Sequence, residues 1–225
     1  MATREVTTVH ATEVESAILE AARDLLAEKG LQGLSMRQVA DLVGVSATAI
    51  YHYFENKDEL VRRVVQLGFH QFGEYLKEAA ETHPRGSLER VRALGEAYLQ
   101  FALENQTYFR VLFSIQHPAP ASLDELPEGG GYGLLRQAVV DAVSAGTMRE
   151  ADPDVVVMYL WSIAHGLLTL TMACDLERCP EFGPGSRRRT PVELFRAFEL
   201  LVRDGIAAPA GERASQGDRI VLQGD

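Results

Sequence analysis

The sequence predicts an all-α protein of about nine helices, because apolar residues recur at intervals of three and four along most of the chain. Capping signatures punctuate that pattern at Ser35–Gln38, Asn56–Glu59 and Thr190–Glu193, and a proline follows the N-cap at Pro153 and Pro191. Alternating strand patterns are scarce. With 225 residues, 46% of them hydrophobic, the chain can fill one large core or two smaller ones.

The first helix is expected from Thr12 to Gly30, with Val14, Ile18, Ala22 and Leu25 on one side and Glu13 and Glu15 in its first turn. Ser35 opens a short second helix, striped by Met36, Val39, Ala40 and Val43 and stopped by Gly44. Ser46 caps a third that reaches Phe54, and Asn56 opens a long fourth that ends before His83-Pro84-Arg85-Gly86. The fifth spans Ser87 to Glu104, with Leu88, Val91, Leu94, Tyr98 and Phe101 on one side, and the sixth covers Gln106 to Gln116. Residues 118–131 read as a loop, followed by a seventh helix over Tyr132–Ala145. Asp152 and Pro153 start the eighth, residues 179–189 form another loop, and Thr190 and Pro191 start a ninth that ends at Gly205. Residues 206–225 have no periodicity and read as a flexible tail.

Composition narrows the function. The formal net charge of -10 repels polyanions and anionic membranes in bulk, so any nucleic-acid contact must rest on local charge. Cys174 and Cys179 lack histidines at metal-ligand spacing, and two cysteines make no disulfide framework, so neither a metal nor a cofactor is expected. The N-terminal MATREVTTVH has no apolar signal-peptide core, which points to the cytoplasm. Residues 155–173 are uncharged but contain Ser162, His165, Gly166, Thr169 and Thr171 and lack a basic flank. They read as a helix buried on all sides rather than a membrane span.

The stretch GVSATAIYHYF, Gly44 to Phe54, joins two short helices by a tight turn. On a helical wheel Ile50 and Phe54 share one side with Val45 nearby, while Thr48, Tyr51 and His52 fall on the other. That polar side suits a DNA major groove, where hydroxyls and imidazoles reach base edges and tyrosine hydroxyls reach phosphates. A helical hairpin with simply packed aromatics fits the same spacing.

The pattern continues past the helix, and from Thr12 to Leu60 the chain resembles the tetracycline repressor (TetR) family of bacterial transcription regulators. The likeness is carried by AEKGLQGLSMRQVADLVGVS and ATAIYHYFENKDEL, in which Gly44, Val45, Ser46, Tyr51, Tyr53, Phe54 and Lys57 occupy the family's signature positions. The resemblance implies a helix-turn-helix DNA-binding domain over residues 11–58. It also implies that Tyr51, Tyr53 and Lys57 contact phosphates, joined by Arg37, and that Ala47, Thr48 and His52 face bases, with Ser46 at the head of the segment. Lys57 lies at a helix N-terminus, where backbone N–H groups also favour an anion. One feature fits poorly: residues 1–60 hold five Lys/Arg against ten Asp/Glu, a net of -5. Few ionic contacts are therefore expected, with a shallow salt slope of about -0.9 per phosphate neutralised.

Residues 59–205 are expected to bind an effector, dimerise, or both. On the ninth helix Leu194, Phe195, Phe198, Leu201 and Val202 form an apolar band too wide for packing on one side only. That band and the eighth helix fit a four-helix seam across a two-fold axis of a homodimer, as in the TetR family; a larger monomer core is the alternative. Trp161, His165 and Gly166 resemble the W…HG pattern of one C-terminal domain type of that family. With Tyr98, Phe101, Phe109, Phe113 and His117, these residues supply aromatic walls and a few polar groups for a small, largely apolar effector between the fourth and eighth helices. A buried histidine satisfied by one hydrogen bond explains His165 equally well.

No G-x-S-x-G, P-loop or H-E-x-x-H motif is present, so no catalytic residue is assigned and an enzyme is the weaker reading. A helical adaptor that has lost DNA binding is a further alternative, favoured only by the acidic N-terminal segment. The expectation is a ligand-responsive repressor that binds a palindromic double-stranded operator as a homodimer.

Overall fold

A computed structural model describes residues 2–113, 131–173 and 189–206. Among these residues there are nine helices and no strand: α1 (Ala2–Gly33), α2 (Met36–Val43), α3 (Ala47–Ile50), α4 (Lys57–Glu81), α5 (Leu88–Glu104), α6 (Gln106–Phe113), α7 (Gly131–Ser144), α8 (Pro153–Ala173) and α9 (Pro191–Ile206). By packing, the chain divides into two compact units, Met1–Gln71 with Glu104–Pro127, and Phe72–Leu103 with Glu128–Asp225.

In the first unit α1 packs on α2 and α6, and α2 packs on α3. The core is built from Ile18, Leu26, Val39, Ile50, Phe54 and Phe109, each no more than 1% exposed. Gly68 lets α6 approach α4: a Cβ there would lie 2.8 Å from the Tyr108 ring. Beside it Phe69 meets Phe113 edge-on at 6.1 Å, the geometry that aromatic quadrupoles favour.

In the second unit α8 packs on α7 and α9. Phe72 lies against Tyr98 at 5.3 Å and Phe101 at 5.1 Å, and Gly131 allows α7 to start against the Phe72 ring. Phe195 of α9 is buried and fits over Gly95 of α5, where a Cβ would come within 2.8 Å of its ring.

Several boundaries differ from the sequence expectation. Helix α1 begins at Ala2 rather than Thr12, and Gly30 breaks its regular geometry at φ 68° before a last turn to Gly33. The third helix is α-helical only over Ala47–Ile50; Tyr51–Tyr53 continue as turns, which lets Phe54 drop into the core just before Asn56 caps α4. Helix α8 is not buried on all sides: only 28% of its most apolar window is covered, and Val155, Met158, Tyr159 and Leu170 are exposed. Gly131, expected at the end of a loop, instead opens α7. Residues 118–130 and 179–188 of the expected loops, Cys174, Cys179 and the tail beyond Ile206 lie outside the described residues.

Removing the fully buried side chain under the turn should be costly. Ile50→Ala is expected to destabilise the first unit by about 2–5 kcal/mol, measured by denaturant unfolding.

Candidate nucleic-acid interface

The turn that presents α3 is held by backbone and hydroxyl groups. Ser35 Oγ accepts the Gln38 N–H at 3.3 Å and starts α2. Gly44 ends that helix at φ 78° and ψ 26°, a left-handed conformation that costs a residue with a Cβ about 1–2 kcal/mol. The N–H groups of Gly44 and Val45 both reach the Ala40 carbonyl, at 2.9 and 3.0 Å. Ser46 Oγ then accepts the Ala49 N–H at 3.0 Å and starts α3.

Ile50 and Phe54 anchor the inner side of this segment, 0% and 1% exposed. Its outer side carries Ser46, Ala47, Thr48 and His52, all exposed, with Tyr51 54% exposed and Tyr53 half-buried. Arg37 is exposed on the neighbouring α2. The wheel reading of inner and outer residues thus matches the observed burial, even though the segment is only partly α-helical.

Lys57 makes a contact that spacing did not reveal. Its half-buried ammonium donates a 2.6 Å hydrogen bond to the Leu31 carbonyl, tying the end of α1 to the start of α4. No sequence signal marks this partner, because Leu31 offers only a backbone oxygen, in the last turn before α1 ends at Gly33. Other cations of the unit are also engaged: Arg63 pairs with Glu15 at 3.0 Å, and Arg23 bonds Asp24 while lying 5.2 Å from the Tyr108 ring centre.

The residues expected around an effector are divided between the units. Tyr98, Phe101, Trp161 and His165 fall in the second, Phe109 and Phe113 in the first, and His117 outside the described residues. Within the second unit Tyr98 Oη and His165 Nδ1 lie 2.8 Å apart, and Trp161 meets the imidazole edge-on at 6.5 Å. Burial pushes the Tyr98 hydroxyl above its ordinary range, with a hydrogen bond to Trp161 acting the other way. Burial also lowers the His165 imidazole, so the neutral ring is favoured at pH 7. The sequence marked Trp161 and His165 but not their link to Tyr98. Among the described residues no group of three or more His, Cys, Asp or Glu is placed to hold a metal.

On α9, Phe195 is used by its own chain, as described above. Leu194, Phe198 and Val202 are half-buried, while Leu201 is 74% and Leu200 54% exposed.

Comparison with known proteins decides the family. Residues 18–64 match the profile described as bacterial regulatory proteins, tetR family, and residues 91–183 match the one described as tetracyclin repressor-like, C-terminal domain. An uncharacterized HTH-type transcriptional regulator of Haemophilus influenzae is 36% identical over 171 residues, covering 76% of this chain and 89% of that protein. The chain belongs to the TetR family. It is therefore a DNA-binding transcriptional regulator and not an enzyme. The HTH-type transcriptional regulator TtgR of Pseudomonas putida is 29% identical over 203 residues, covering 88% of this chain and 83% of the relative. A protein of unknown function from Rhodococcus sp. RHA1 superposes with a TM-score of 0.68 at 25% identity, covering 86% of this chain and 95% of that one.

Two outcomes follow from the local geometry. Lys57→Ala should lower the unfolding free energy by about 1–3 kcal/mol in the absence of DNA, because the Leu31 carbonyl loses a charged donor. The lowered His165 value should appear in ¹⁵N NMR as a ring that stays neutral to below the ordinary histidine midpoint of 6.5; its contribution to stability is then present above that pH and is lost as the ring protonates on acidification.

Proposed function

We propose that the protein is a cytoplasmic, ligand-responsive repressor that binds a palindromic operator as a homodimer. The observation that carries this reading is the outward array of Thr48, Tyr51 and His52 over the buried Ile50 and Phe54. Residues 11–58 form the DNA-reading domain, and residues 59–205 bind the effector and pair the copies. Each α3 segment enters a major groove, and the two half-sites lie on one face of the DNA about one helical turn or somewhat more apart. Tyr51, Tyr53 and Arg37 hold phosphates, Lys57 supplies a further charge from its tethered position, and Ser46, Ala47, Thr48 and His52 face base edges.

The exposed apolar residues of α8 and α9 support the homodimer. Met158, Tyr159 and Leu170 on α8 and Leu200 and Leu201 on α9 are too many to leave in water on a soluble monomer. Leu194, Phe198, Leu201 and Val202 meet the partner, while Phe195 anchors α9 to its own chain. A second copy is favoured over a lipid bilayer because Ser162 and Thr169 are exposed on the same helix, which is uncharged beyond Asp154, and want polar company.

The effector is small and largely apolar, held in the second unit by the aromatic walls of Tyr98, Phe101 and Trp161, with the Tyr98–His165 pair as its polar anchor. It releases DNA by binding more tightly to the state that binds DNA less well.

Fluorescence anisotropy of the purified protein with the DNA flanking its own gene, at two salt concentrations, tests the central reading. Saturable binding that weakens with salt is expected; absence of binding to any such fragment overturns it. Tyr51→Phe should weaken binding across all sequences, and His52→Ala should alter which base is preferred, as read by competition with single-base operator variants. Gly166→Leu has open space in one copy but would wedge the α8 seam, and Leu201→Asp would place a charge there. Both are expected to give monomers by sedimentation velocity with helicity retained.

A further inference from the structure

The seat of α9 on α5 contains a charge arrangement that DNA reading and effector binding leave unused. One turn beyond Phe195, which fits over Gly95, the Glu199 side chain is only 18% exposed and turns toward α5. Among the described residues its buried Oε1 has no hydrogen-bond partner. Arg92 of α5 stands 3.9 Å away, outside hydrogen-bond reach, and lies closer to Glu96 at 3.3 Å. A second carboxylate thus competes for the same guanidinium.

We propose that α9 docks on α5 with Glu199 protonated, so that its seat tightens on acidification. A neutral carboxyl needs no cation, relieves its repulsion from Glu96 and tolerates the buried position. Burial is the main cause that raises its titration to about 7, with Glu96 adding to it and Arg92 and Arg196 opposing it. The titratable groups of α8, the other helix packed on α9, are Asp154, Tyr159 and His165; Asp154 pairs with Arg136 and His165 with Tyr98. Glu193 at the start of α9 is committed to capping with Thr190.

The direction follows from the raised value. Docking is favoured fully below the ordinary carboxyl value of 4.5, and that advantage is lost as pH rises through about 7. Across the neutral range a protein would feel the change. Because α9 also carries Leu200 and Leu201, the proton bears on the pairing of copies proposed above, but the test reads the side chain itself and stands whether or not copies pair.

In the full-length chain, ¹³C NMR of the glutamate carboxyls should show Glu199 titrating near 7, and Glu96→Gln should move that midpoint down. A Glu199 midpoint in the ordinary carboxylate range overturns the proposal. Hydrogen exchange over residues 191–202, corrected for intrinsic rates, should lose about tenfold in protection between about pH 6 and pH 8.5 in the parent chain and stay flat in Glu199→Gln. Equal pH dependence in both chains also overturns it. If Glu199→Gln does not fold, the parent titration alone decides.

Discussion

A helix of one turn has no stability of its own, so the α3 segment exists only because Ile50 and Phe54 are buried beneath it. Everything else in the first unit serves that burial. Gly44 turns the chain sharply enough for α3 to return over α2, Ser46 accepts the Ala49 N–H through both its hydroxyl and its carbonyl, and Asn56 restarts a helix immediately afterwards. The outward residues are then held in one geometry by packing that they do not themselves make. This is why a segment with four α-helical residues can present a chemical pattern as reliably as a longer helix.

Charge is sparingly placed in that unit. Acidic residues outnumber basic ones, and several of its cations are engaged in internal ties: Arg63 to Glu15, Arg23 to Asp24 and Tyr108, and Lys57 to the Leu31 carbonyl. An ammonium has three donors, so Lys57 keeps hydrogen-bonding capacity beyond its tether, and its position at the start of α4 places it beside backbone N–H groups. On the proposed reading, specificity rests more on groove contacts and pairing of copies than on bulk attraction to phosphate.

The second unit has the opposite imbalance, an excess of apolar surface. Helix α8 is uncharged from Val155 to Ala173 and exposes several large side chains, and α9 divides its apolar residues between Phe195 inside and Leu200 and Leu201 outside. The same helix carries Glu199 into a nearly closed position opposite Glu96. Apolar anchoring and a poorly matched carboxylate therefore act on one element, and their balance sets how firmly α9 is held.

Local features were legible in the sequence. The helix periods, the caps at Ser35, Ser46, Asn56 and Thr190, the stop at Gly44 and the division of Ile50 and Phe54 from Thr48, Tyr51 and His52 all depend on residues within a few positions of one another. Spacing alone carries that information. The tertiary structure decided what depends on distant parts of the chain: the tie of Lys57 to Leu31, the Tyr98–His165 bond, the assignment of Phe109 and Phe113 to the first compact unit and of Tyr98, Phe101 and Trp161 to the second, and which side of α9 faces inward. It also decided that α8 keeps exposed apolar side chains among the described residues, because periodicity reports how apolar a helix is and not what packs against it.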